Sequence, residues 1–383
     1  MRFGLARLAA TLASPERPTT IAALGQSLAK ILTAPRKLQA EHVETFSKYL
    51  QGKPGSPRYT RWRTALKLGK SPEVEQQDVW LSCDSLKSSV GSLTENYFED
   101  PVTLAEILGL LQPKTNILMS RGRLSLLKAD YRSFSPFPMD MTQSLYLGLW
   151  LLKADCDWIW AFLRVLQADG IDEITVSNRV VVLLHTIEVL LNSREIRSPT
   201  PQYAMTRQRL LDLRKITERN NKEGLNLGQP WSWFLIPRLE LLVDAGLLNK
   251  RKPHDLTGYT LTEPALAMQR HAIESAQGQA LHTNYFGCHF QARTVNPSPQ
   301  WDEVYPLLFR IRPALEMKTG HCLIYEATAA TCVLRAVETE GAIWEMSAIR
   351  ALLKSVSNGE MAEVTLSIDK YGAPYSFKLR KAL

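Results

Sequence analysis

Between Pro237 and Met268 the chain reads PRLELLVDAGLLNKRKPHDLTGYTLTEPALAM, and no other stretch restricts the backbone so tightly. Proline fits the first turn of a helix, where its missing N–H would have had no partner. Leu239, Leu242 and Val243 then recur on one side of a short helix. Gly246 supplies the left-handed residue that ends it. A strand follows in LLNK, a loop of turn formers in RKPHDLTG, and a second strand that sets Tyr259 and Leu261 on one face. Thr262 caps a further helix with Pro264 in its first turn. The expected order is helix, glycine, strand, basic loop, strand, helix.

Helical periodicity dominates elsewhere. The first residues, up to about Pro18, are read as a helix of the fold, because Arg7 interrupts an apolar run too short for a signal peptide. Ile21, Leu24, Leu28 and Ile31 share a face, as do Leu38, Val43, Phe46 and Leu50. A helix ending near Leu111 is followed by TNILMSRGRLSLL, read as a strand pair around Arg121 and Gly122. Three helices are expected over 141–155, 156–170 and 174–192, with Gly170 stopping the second and Thr175 or Ser177 capping the third. Lys153, Asp155 and Asp157 sit inside the most apolar region, so it is a buried helix pair rather than a membrane span. At the C-terminal end, Ile349, Leu352, Leu353 and Val356 mark an amphipathic helix stopped at Asn358-Gly359. Val364, Leu366 and Ile368 then alternate, as do Tyr375, Phe377 and Leu379, around the turn KYGAP.

Leu239 to Ala267 resembles the C-terminal half of winged helix-turn-helix domains: a helix ending in LxxxGLL, a variable wing and a strand finishing in YxLT. Here Leu242, Gly246, Leu247 and Leu248 stand in the first motif, and Tyr259, Leu261 and Thr262 in the second. The match covers about thirty of 383 residues and implies a fold rather than an activity. It also implies that Arg238 lies near the start of a groove-entering helix, with Lys250, Arg251, Lys252 and His254 in the wing. The C-terminal helix and hairpin have the same grammar, with Lys370, Lys378, Arg380 and Lys381 as a basic edge. The expected fold class is mainly α with small β-hairpins, in several helical modules including one to three winged-helix-like domains. Boundaries are expected at 1–95, 96–200, 201–285 and 286–383.

Charge gives the candidate site. The formal net charge is +8, and two segments concentrate it. Arg58, Arg61, Arg63, Lys67 and Lys70 occur with no acid among them, interleaved with Tyr59 and Trp62. From Thr200 to Lys252 ten Lys or Arg face five Asp or Glu. Clustered cations bind phosphates because condensed counterions are released. The candidate nucleic-acid-binding residues are therefore Arg61 and Arg63; Arg207, Arg209, Arg214 and Lys215; Arg238, Lys250, Arg251 and Lys252; and Ser177, Asn178 and Arg179, which would begin the third helix of a helix-turn-helix. The alternative for each cluster is a solvated helix face. Trp231 and Trp233 before the Pro237 helix favour packing against a neighbour; Trp233 is expected in the core and Trp231 nearer solvent.

Catalytic patterns are weak. Glu316 and Lys318 have the ExK spacing of metal-dependent nucleases, with Asp302 as the nearest upstream carboxylate. His282, His289 and His321 occur near Cys288, Cys322 and Cys332 without metal-ligand spacing. Five cysteines, Cys83 and Cys156 being the others, form no CxxC pair, which fits a reducing cytoplasm. No phosphate-loop, dinucleotide, GxSxG or HExxH motif is present. The expectation is a non-enzymatic, cytoplasmic protein that needs no cofactor or metal and binds double-stranded DNA. It would act as a regulator or as the DNA-engaging subunit of a larger bacterial assembly, by analogy one of phage defence or mobile elements. The alternatives are a scaffold whose winged helices hold protein partners or a homo-oligomer, and a metal-dependent nuclease.

Overall fold

The computed structural model describes residues 2–51, 55–83, 99–125, 140–193, 196, 200–223, 230–251, 258–275, 278–290, 298–316, 321–339, 343–358, 364–370 and 373–379. It is mainly helical with small antiparallel sheets. The chain divides into two compact units, Met1–Asp140 with Ala314–Thr319, and Met141–Pro313 with Gly320–Leu383.

In the first unit α1 (Arg2–Leu12), α2 (Ile21–Leu32), β1 (Pro35–Lys37), α3 (Val43–Gln51), α4 (Pro57–Lys67), β2 (Glu73–Glu75), α5 (Gln76–Cys83), α6 (Glu99–Ile107) and α7 (Ser120–Ser125) follow in order. Capping chemistry sets two of the starts: the Thr20 hydroxyl accepts from the Ala23 N–H, and that of Ser56 from the Tyr59 N–H with Pro57 in the first turn. Strands β1 and β2 pair antiparallel, Arg36 opposite Val74. Phe46, Leu50, Tyr59, Trp62 and Val74 close the core between them. The strand pair expected around Arg121 and Gly122 is instead one bridge, Leu111 to Leu118, followed by helix α7. Lys114 and Asn116 take left-handed φ values of 71° and 51° between the bridged residues, which turns the chain too sharply for a ladder.

The second unit runs α8 (Met141–Ala154), α9 (Cys156–Ala168), β3 (Glu173–Ile174), α10 (Arg179–Asn192), α11 (Pro201–Lys222), a π-helical turn Trp231–Leu235, α12 (Ile236–Asp244), β4 (Leu248–Arg251), β5 (Gly258–Leu261) and α13 (Glu263–Glu274). It continues through α14 (Gln279–His289), α15 (Trp301–Leu315), β6 (Cys322–Leu323), α16 (Ile324–Glu338), α17 (Met346–Asn358), β7 (Val364–Ile368) and β8 (Pro374–Leu379). Every residue from Leu145 to Leu152 of α8 is buried, as are Trp158 to Leu163 of α9. These apolar runs are core, and among the described residues no helix is long and apolar enough to cross a membrane.

Two three-stranded antiparallel sheets share one topology. The first has the order β3-β5-β4 and the second β6-β8-β7. In each, helix, strand, helix, helix, strand, strand is the sequence order, and the first strand pairs with the last. In the first sheet the extra helix α11 intervenes between the second and third helices. Gly246 ends α12 as expected: at φ +73° its N–H reaches the Val243 carbonyl (3.0 Å) and the Leu247 N–H reaches Leu242 (2.8 Å), the paired bonds of a Schellman stop. Because β3 pairs with β5, α10 is the second helix of its module. The three helices expected over 141–192 are present as α8, α9 and α10, with β3 between the second and the third.

Candidate nucleic-acid interface

The fold sorts the cations by what they touch. Arg238 leaves the first turn of α12, and its Nε donates to Asp155 Oδ2 at 2.8 Å while its Nη1 donates to the Phe234 carbonyl at 3.2 Å. Its guanidinium covers the Phe234 ring at 3.9 Å. Lys250 of β4 donates to Glu240 Oε1 at 2.5 Å, and the Tyr259 hydroxyl donates to the same oxygen at 2.6 Å. The side chains of Lys250 and Glu240 are only 11% and 16% exposed. No residue of α12 is fully exposed. Arg238 and Lys250 therefore join α12 to its surroundings and present no phosphate-facing surface.

The turn before α10 is closed in the same way. Asn178 accepts from the Thr175 N–H and donates to the Glu173 carbonyl, both at 2.8 Å, and the Ser177 and Thr175 hydroxyls are 2.7 Å apart. Arg179 is half-buried in the first turn of α10. These residue types hold a turn as readily as they hold DNA.

Helix α11 is largely open to solvent. Arg207, Arg209 and Lys215 are exposed, while Arg214 is paired with Glu218 one turn on, at 2.8 Å. In the wing Arg251 is exposed; Lys252 and His254 lie outside the described residues. In the first unit Arg61 is exposed, whereas Arg63 donates to the Leu50 carbonyl at 2.5 Å.

Trp233 corrects the expectation of a core tryptophan: it is 53% exposed, edge-on to Phe234. The cause is the π turn, whose wider spacing places Leu235, fully buried, one helical turn before the equally buried Leu239. The side chain of Trp231 lies outside the described residues.

The sequence reading placed the helix that becomes α17 but did not single out its outer face. Ser347, Arg350, Ala351, Lys354 and Ser355 are all exposed and follow the i, i+3, i+4, i+7, i+8 spacing of one helical face. No acid occurs from Met346 to Asn358. Ile349 and Leu353, fully buried, fix the opposite side. The signal was legible as the complement of the apolar stripe. The adjoining hairpin projects its tip, with Ile368 60% and Tyr375 53% exposed, and shows Lys378 directly across from Thr365. Arg380 and Lys381 lie outside the described residues.

Burial shifts several groups of the second unit toward their neutral forms. Burial lowers His282 to about 4, helped by Lys153, and its Nε2 lies 2.8 Å from the Tyr325 hydroxyl. Burial also lowers His289 to about 4, against the opposing pull of the Ala245 carbonyl. The Cys156 and Cys288 thiols are pushed up to about 12 by burial, the reverse of what a nucleophilic thiolate needs. Asp302 lies in the first turn of α15, and Glu316 follows the last residue of that helix. Lys318 lies outside the described residues. Among the described residues no group of three or more His, Cys, Asp or Glu is placed to hold a metal ion. Set against known protein families, curated proteins and solved structures, the chain matches none.

Proposed function

We propose that this chain is a non-enzymatic double-stranded-DNA-binding protein built on winged-helix modules, as a regulator or as the DNA-engaging subunit of a larger bacterial assembly. The shared helix and strand order of its two three-stranded sheets supports the module assignment. In such a module the third helix enters the major groove and the hairpin lies against the backbone. The observation that carries the reading is the outer face of α17, with Arg350 and Lys354 one turn apart among short side chains and its one neighbouring acid, Glu345, held by the Ser347 hydroxyl at the helix start. Short residues let a helix approach base edges, and the two cations suit phosphates or guanine.

The test is duplex binding by the full chain carrying Arg350→Ala and Lys354→Ala. Both positions are exposed, so melting stays unchanged while affinity drops. Unaltered affinity for duplexes of any sequence overturns the reading.

A second reading concerns only the module around α12, where a protein partner or second copy is favoured. Val176, Val181 and Trp233 are 42%, 45% and 53% exposed there, while its third helix offers no exposed residue. If this surface joins two copies, Trp233→Ala converts a dimer to a monomer in sedimentation without lowering the melting temperature. A wild-type chain that sediments as a monomer at high concentration removes the self-association version.

A further inference from the structure

We propose that helix α4 of the first unit carries a second duplex-DNA-gripping face, formed by Arg61 and Lys67 with Thr60 and Thr64. The choice of ligand rests on the DNA reading of α17; the observations at α4 are independent of it.

Five cations and no acid lie between Arg58 and Lys70, and the fold divides them. Arg58 turns inward: Nη1 donates to Glu75 Oε1 and Nη2 to Asp78 Oδ2, both at 2.8 Å, and the guanidinium lies over Trp62 at 4.9 Å. Asp78 is almost fully buried and also accepts from the Tyr49 hydroxyl at 2.8 Å. Arg63 is tied to the Leu50 carbonyl. These two cations hold the unit together. Arg61, Lys67 and Lys70 are exposed and have no ion pair among the described residues.

The solvent-facing cations share a surface. Thr60, Arg61, Thr64, Lys67 and Leu68 are exposed at the spacing of one helical face, opposite the buried Tyr59 and Trp62. Phe46 and Tyr59 each pack 5.6 Å from Trp62, which fixes the roll of the helix and so the direction of its outer face. A groove of about 400 Å³ beside Arg61 also contains Glu73 and Glu75, so the ligand belongs on the outer face and not in the groove.

Charge and composition together select the occupant. The face is cationic and acid-free, and its one large apolar residue, Leu68, sits at the end of the helix. Protein interfaces are anchored by buried aromatic residues, and none is exposed on this face. The topology agrees as well. In the order α2, β1, α3, α4, β2, helix α4 holds the place that α17 holds in its own module, and both expose two cations among hydroxyl side chains.

The test uses the full chain with Arg61→Ala and Lys67→Ala, measured by fluorescence anisotropy on a mixed-sequence duplex. Affinity falls roughly tenfold near 0.1 M salt, and the slope of log affinity against log salt shrinks by about 0.9 for each phosphate that is no longer neutralised. Melting is unchanged; Arg61→Gln with Lys67→Gln replaces the pair if the alanine variant melts early. Wild-type affinity and slope overturn the proposal. So does a variant that keeps duplex binding but loses binding to phosphatidylserine vesicles, which would assign the face to a lipid surface. Running Arg350→Ala with Lys354→Ala in parallel separates the two ideas. Weaker binding only from the α4 changes leaves this proposal standing and removes the α17 reading, and weaker binding only from the α17 changes does the reverse.

Discussion

Gly148 shows how far one atom can be constrained. It lies in the buried middle of α8, and a methyl group there would overlap the hydroxyl of Tyr285, itself fully buried and donating to the Ala245 carbonyl at 3.3 Å. Gly148→Ala is expected to destabilise by about 1–3 kcal/mol, as overpacked core positions do. Adding Tyr285→Phe removes the overlapping hydroxyl, so the double variant should be more stable than the sum of the two single changes; additive effects in denaturant titrations would refute the steric coupling. The same logic applies to the paired cations. Arg238→Ala or Lys250→Ala strips a charge-assisted partner from a largely shielded carboxylate and should cost about 1.5–3 kcal/mol. Neither is expected to change duplex affinity once measured on folded protein, which is the reverse of what an exposed wing lysine would do.

At the scale of the element, α12 and α17 occupy equivalent positions in their modules with opposite fates. Around α12, α8 packs against the helix, and Arg238 and Glu240 are drawn into ion pairs. Helix α17 packs on α16 and β7 and leaves its other side to solvent. Helix α14 carries a pH consequence, because burial holds both His282 and His289 near 4, below their ordinary value of 6.5. The unfolded chain therefore binds protons first, and stability present above about pH 6.5 is lost as the pH falls toward 4. Urea midpoints measured at stepped pH should decline across that window, and His282→Gln with His289→Gln should flatten the decline. An equally steep decline in that variant would show that other groups control it.

For the whole molecule, binding through several cationic faces predicts a strong salt dependence rather than a high affinity at any one salt. Exchanging Arg61, Lys67, Arg350 and Lys354 together should lower the slope by about 0.9 for every phosphate left without its cation, more than either pair alone. A four-site variant with the slope of a two-site variant would leave only one working face. The net charge of +8 does not by itself foretell this, since the fold commits Arg58, Arg63, Arg238 and Lys250 to internal partners.

The sequence by itself determined the local punctuation: the Thr262 cap, the Gly246 stop, the hairpin after it and the buried pair α8 and α9. Such features depend on neighbours a few residues apart, which the chain order states outright. The amphipathic complement on α17 was equally local and could have been read from its spacing. Only the tertiary structure decided which cations remain available. Arg238 meets Asp155 and Arg58 meets Asp78 across 83 and 20 residues, and Lys250 meets Glu240 across a helix end and a turn. A cation's availability depends on whether a carboxylate from another element arrives within hydrogen-bonding distance. Periodicity records which way a residue points along its own helix, but it holds no information about what is packed opposite.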